Sequence, residues 1–138
     1  MAIDPEARWR KRREDYRASL GNLRQACDAF DERELSVLEQ AGMIQLFEIT
    51  YELGWKLLRD RLTSRGVVEG IGSPAGAIRA AFADDLVSDA QAWMDAAKLR
   101  NTLSHEYRPD RAQNGLRLIA EMFLPLFDEL QARFDDAD

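Results

Sequence analysis

Apolar residues recur at i, i+3, i+4 and i+7 along most of the chain, and no stretch alternates with the period of two that a half-buried strand requires. The first run predicts a helix over residues 6–30, with Tyr16, Leu20, Leu23, Cys27 and Phe30 on one side. Asp31-Glu32 reads as a short break. The second helix, from about Glu34 to Ser64, is the longest, and Met43, Leu46, Phe47, Thr50, Gly54, Leu57 and Leu58 lie on its inner stripe. Glycine inside a helix costs ~1 kcal/mol relative to alanine. Gly54 therefore predicts a close approach of another helix at that turn. Glu48, Tyr51, Glu52, Trp55 and Arg59 form a second, mixed face on which Glu52 and Lys56 are spaced as an i, i+4 pair.

Gly66 suits a C-cap, and residues 67–72 form a glycine-rich connector. Ser73-Pro74 is a helix start, serine at the N-cap and proline at the first helical position. The short helix that follows runs to about Ala83, with Ile78 and Phe82 expected inside. Ser88 or Asp89 can cap the next helix, Ala90 to Tyr107, whose first half sets Trp93 beside small residues such as Ala96 and Ala97. Such a surface suits close helix packing, including packing on a second copy. A last helix follows Pro109 and runs to about Phe134, kinked by Pro125. The expected fold is all-α: an antiparallel four-helix bundle with one extra short helix, and residues 1–138 as a single helical domain.

Composition narrows the setting. With 138 residues, 46% of them hydrophobic and 32% charged, the chain can fold around a core rather than stay disordered. No apolar run approaches the ~18 residues of a membrane span, and the Arg-rich N-terminus carries no apolar signal segment. A cytoplasmic protein is expected, with no membrane partner. Cys27 is the single cysteine, which excludes an internal disulfide and fits a reducing compartment. One cysteine and one histidine do not make a usual zinc site, and nothing calls for a metal or another cofactor. The net charge of −6 argues against a protein that grips long nucleic acid with its whole surface. The charge is uneven, however. Arg8, Arg10, Lys11, Arg12, Arg13, Arg17 and Arg24 crowd the first helix, and Asp128, Glu129, Asp135, Asp136 and Asp138 crowd the end. Both clusters read either as solvated surface or, for the basic one, as a place to meet an acidic partner or RNA.

The chemistry concentrates in Arg100-Asn101-Thr102-Leu103-Ser104-His105-Glu106-Tyr107, which holds the only histidine. At ~100° per residue, Arg100, Asn101, Ser104, His105 and Tyr107 share one side of the last two turns, while Leu99 and Leu103 point away. Histidine suits proton transfer near neutrality, and the planar fork of arginine fits phosphate oxygens. Together they suit phosphodiester chemistry without a metal. A surface histidine at a helix C-terminus, favoured by the dipole, is the plain alternative.

The residues inside this pattern resemble the signature of the HEPN superfamily, and more narrowly that of the HepT-like toxin and nucleotidyltransferase substrate-binding branch. Phe47-Glu48-Ile49-Thr50-Tyr51-Glu52-Leu53-Gly54-Trp55-Lys56 resembles the same branch, as does Ser73-Pro74 through Phe82 followed by Trp93. The resemblance implies a helical homodimer paired with a small nucleotidyltransferase as antitoxin. It further implies metal-independent cleavage of an RNA substrate by Arg100 and His105, assisted by Asn101. Ser104 and Glu52 are supporting candidates, Glu52 by orienting Arg100 from the mixed face of the long helix. Tyr107 matches the tyrosine to which such a partner adds AMP. A second reading is a non-catalytic nucleotide-binding or substrate-binding subunit of a two-component nucleotidyltransferase. A third is an interaction module with a decayed site, against which the intact Arg-Asn-His-Tyr set weighs.

Overall fold

The computed structural model describes residues 4–105 and 109–136, and the regular structure among them is helical. Helix α1 spans Pro5–Glu32 and starts at Asp4, whose side chain accepts from the Glu6 N–H. Helix α2 spans Val37–Ser64. It begins three residues later than the apolar pattern predicts. Ser36 and Glu39 form a reciprocal capping box there, and the Ser-x-x-Glu spacing is the sequence signal for it. Gly66 follows the α2 C-cap with φ +91°, as its place in the sequence predicts. Helix α3, Pro74–Ala83, is capped by Ser73, and α4, Ala90–His105, by Asp89, which accepts from the Ala92 N–H at 2.9 Å. Helix α5, Pro109–Leu118, continues through a π-helical turn, Ile119–Phe123, into α6, Leu124–Asp135. The predicted disturbance at Pro125 thus takes the form of one widened turn just before it. A proline ring crowds the carbonyl four residues back, and an i→i+5 turn makes room.

One core joins these helices. Trp93 of α4 is 1% exposed and packs on Tyr51 of α2 and Phe127 of α6. Phe127 stacks on Phe47, and its carbonyl accepts from the Tyr16 hydroxyl of α1 at 2.7 Å. Gly54 lies under Trp93: a Cβ there would stand 2.9 Å from Cη2 of Trp93 and 3.2 Å from Cε1 of Tyr16. The close approach expected at Gly54 is made by these two rings. Two expectations are corrected. Phe82 is 55% exposed rather than inward, because Ala77, Ile78 and Ala81 take the buried side of α3. Trp93 is enclosed within its own chain and is no surface for a second copy.

The two charge clusters answer each other in part. Arg17 pairs with Asp135, Arg24 with Asp128, and Arg13 donates to the Phe134 carbonyl at 2.9 Å. Cys27 is buried, and burial with nearby Asp31 and Asp28 pushes its thiol up to about 12, which leaves it unreactive at neutral pH.

Gly54→Ala is expected to destabilise the protein. Overpacking typically costs ~1–3 kcal/mol, which exceeds the ~1 kcal/mol of helix propensity gained. Gly115→Ala meets only the flexible ends of Leu103, at 3.2 Å, and Leu99, at 3.6 Å, and should be close to neutral. Urea midpoints of the two variants test the contrast, and equal shifts would refute it. A second expectation concerns pH. Arg33, then the Ser36 N–H, hold the Glu39 carboxyl down to about 2, against an ordinary value of 4.5. A depressed carboxyl stabilises the fold above its unfolded pKa and stops doing so as pH falls through its folded one. The melting-temperature gap between wild type and Glu39→Gln should therefore hold above about pH 4.5 and close toward pH 2.

Candidate functional site

Helix α4 runs antiparallel to α2: as it advances from Trp93 to Arg100 and Ser104, its partners on α2 recede from Gly54 to Glu52 and Glu48. Arg100 meets Glu52 with Nη2 2.9 Å from Oε1. The other oxygen of Glu52 accepts from the indole N–H of Trp55 at 3.1 Å and lies 3.8 Å from Nζ of Lys56. The predicted i, i+4 pair is present, and the mixed face of α2 does look onto the motif helix. Glu52 is thereby held from two sides and in turn fixes the fork of Arg100. Ser104 donates to the Arg100 carbonyl at 2.9 Å, and its oxygen is 3.5 Å from Oε1 of Glu48. Asn101 and His105 are exposed, and neither makes a side-chain hydrogen bond among the described residues. No hydrogen bond joins the two side chains, and both face solvent. Leu99 and Leu103 are half-buried against the core, as predicted. Tyr107, with Glu106 and Arg108, lies outside the described residues.

The Glu52–Arg100 pair stands between two shallow grooves. One, of about 320 Å³, is bordered by Gln45, Glu48, Ile49 and Leu53. The other, of about 260 Å³, is bordered by Tyr51, Ser73, Pro74, Met94 and Asn101. A fixed guanidinium at the lip of two open grooves suits an anionic oxygen, and a solvent-facing histidine one turn further suits proton transfer.

Residues 11–136 match the family described as nucleotidyltransferase substrate binding protein like. The chain belongs to that family. A crystal structure of a protein from Thermus thermophilus is similar to it, with a TM-score of 0.70 and 26% identity over 88% of this chain and 97% of that one. No curated protein matches.

This family member carries site neighbours that the motif alone did not reveal. Ser73 and Pro74 open α3 and also edge the groove beside Asn101, a placement that no local sequence signal announces. The Tyr51 hydroxyl is buried with no partner among the described residues, and burial, helped by Glu52, pushes its pKa up to about 12. It stays neutral at any physiological pH. No group of three His, Cys, Asp or Glu side chains that could hold a metal occurs among the described residues, and no described helix is long and apolar enough to cross a membrane.

The two members of the ion pair differ in their expected stability effects. Both are about a third exposed, so the pair itself is worth at most about 1 kcal/mol. Arg100→Ala should therefore cost no more than that. Glu52→Ala also removes the acceptor of the Trp55 N–H, whose residue is only 6% exposed, and a lost partner of that kind costs about 1–3 kcal/mol. Denaturant unfolding of the two variants tests the order, and a larger loss for Arg100→Ala would contradict it.

Proposed function

We propose that this protein is a HepT-like toxin: a metal-independent endoribonuclease whose site is Arg100 and His105, silenced by a minimal nucleotidyltransferase partner. The observation that supports it most is the fixed Glu52–Arg100 pair at a groove edge, with His105 unpaired on the same helix end. The family description supports the nucleotidyltransferase connection. In this reading His105 takes the proton of a ribose 2′-hydroxyl, and the 2′-oxygen attacks phosphorus. The bond from phosphorus to the 5′-oxygen breaks, giving a cyclic phosphate and a 5′-hydroxyl. Arg100 carries the added phosphate charge, Asn101 donates to a phosphate oxygen, and Ser104 secures the helix end. The departing 5′-oxygen needs a proton, and acid–base cleavage profits from two proton-transfer groups. A homodimer that brings two α4 ends together supplies the second histidine. Trp93 takes no part in that contact, which falls to the exposed end of α4.

A second reading rests on the family description itself: a non-catalytic subunit that presents a nucleotide or another substrate to a nucleotidyltransferase, with Arg100 and His105 holding a phosphate. Incubating pure protein with bulk RNA and a chelator separates the two. Cleavage is expected, abolished by His105→Ala without a change in circular dichroism, since His105 is exposed. Arg100→Lys should not restore it, because lysine lacks the planar fork. Absence of cleavage by wild type favours the subunit reading.

Control falls to Tyr107. Tyr107 follows His105 by two residues in the sequence, and an AMP added there would bring a negatively charged phosphodiester that competes with RNA phosphate for Arg100. Co-expression with a minimal nucleotidyltransferase partner should give AMP mass increments that vanish in Tyr107→Phe. An unmodified chain neutralised by a tight complex would instead mean that the partner acts by covering the site.

A further inference from the structure

The basic residues of α1 do not share one fate. Arg13, Arg17 and Arg24 are engaged by α6. Arg8, Lys11 and Arg12 point elsewhere and border an open groove of about 420 Å³ with Ala7 and Asp15. Arg8 has no side-chain partner among the described residues, and the partner of Lys11 is Asp15 on its own helix, at 2.8 Å. Arg12 crosses to α2 and donates from Nε to Oδ2 of Asp60 at 3.0 Å. Arg59 donates from its own Nε to Oδ1 of the same carboxylate at 3.2 Å. Asp60 is only 2% exposed, so one buried carboxylate holds two guanidiniums that remain 27% and 30% open to solvent. Arg59 also lies over the Trp55 ring, 5.3 Å from its centroid, and the Trp55 N–H returns to Glu52 and so to Arg100.

An unbroken series of contacts therefore leads from Arg100 through Glu52, Trp55, Arg59 and Asp60 to Arg12. Lys56 lies beside it, and Arg8 and Lys11 continue it. Beyond Arg100, five cations along this line face four carboxylates, Glu14, Asp15, Glu52 and Asp60, still a positive balance on a chain of net charge −6. From Glu52 to Asp60 the helix rises ~12 Å, and from Arg12 to Arg8 another ~6 Å. That is the scale of a few nucleotides of backbone. Two arginines fixed by a buried carboxylate are already ordered, so a ligand does not have to immobilise them.

We propose that Lys56, Arg59, Arg12, Arg8 and Lys11 form a track for the phosphate backbone of a single RNA strand, carrying the nucleotides that flank the one at Arg100. The track rests on the nuclease reading for its choice of RNA. It gives the site an extended binding surface on one side, from the end of α4 along α2 to the start of α1. Recognition there is by charge and is independent of base sequence.

The probe is a fluorescent 2′-O-methyl oligonucleotide of about twelve nucleotides. It presents the phosphate backbone but has no free 2′-hydroxyl to attack. Anisotropy titrations run between about 50 and 200 mM salt. Arg8→Gln combined with Lys11→Gln should weaken binding about tenfold at the low end and reduce the salt slope by about 1.4, or ~0.7 for each phosphate that is no longer neutralised. Arg79→Gln combined with Arg117→Gln makes the same charge change at exposed positions off the track and should bind as wild type does. Equal loss in both pairs, no loss in the track pair, or no binding by wild type overturns the track. Displacement of the probe by polyglutamate as readily as by unlabelled RNA would assign the surface to an acidic protein partner and overturn it as well. Cleavage of unmodified RNA is measured in parallel. Track-dependent binding without cleavage sinks the nuclease reading alone, and cleavage without track-dependent binding sinks the track alone.

Discussion

Trp93 lies on Gly54, and that contact sets where α4 can stand. The indole touches rings from α2 and α6, so it ties the helix to two neighbours at one height. A side chain on residue 54 would push the indole outward, and α4 would move with it. Arg100 is two turns beyond Trp93 on the same side of α4, and Glu52 is two residues before Gly54. With Trp93 seated, the guanidinium arrives within hydrogen-bond distance of Glu52. A buried aromatic contact thus positions a polar pair that could not hold the helix itself, since a part-exposed ion pair is worth too little.

Charge follows the same division of labour. The chain places most of its early basic residues and its late acidic ones on helices that meet, so Arg17 and Arg24 find Asp135 and Asp128. These pairs lie along the α1–α6 seam and cancel charge on that side. What remains uncancelled lies on the opposite side of α1, facing α2, where the buried Asp60 gathers Arg12 and Arg59. A carboxylate that deep would be costly alone, and two guanidiniums offset its desolvation.

Much of this was legible in the sequence. The 3.6-residue period placed the helices, and the Ser73-Pro74 and Gly66 signals placed ends, because each works through local backbone geometry; for the start of α4 the sequence left Ser88 and Asp89 open, and Asp89 is the cap. Gly54 announced a close approach, since glycine has little other reason to sit inside a long helix. The pairing of Glu52 with Arg100 was foreseeable from helix faces, together with a family resemblance. Other features depend on distant chain and left no local trace. Phe82 has the right period to be buried, yet α3 is short and its alanines already fill the contact. Trp93 beside small residues looked equally like a surface for another copy or a core. Only the presence of Tyr16 and Phe127, far away in sequence, decides it. The clamp at Asp60 joins residues 48 positions apart and was invisible for the same reason.

The hold of Glu52 on Arg100 also constrains what the site can do. A carboxylate on Nη2 keeps the guanidinium from collapsing onto the surface and aims it along α4. It also occupies one donor that a phosphate would want. Arginine has five N–H donors in a fixed fork; Nε of Arg100 is buried, so the donors that the carboxylate leaves for a phosphate are on the terminal nitrogens. The pair is about a third exposed, and water screens it, so an incoming phosphate can share or displace the carboxylate at small cost. A lysine at residue 100 would have no second edge to offer and would have to choose between Glu52 and the ligand. The arrangement therefore favours arginine for a geometric reason that charge alone does not supply.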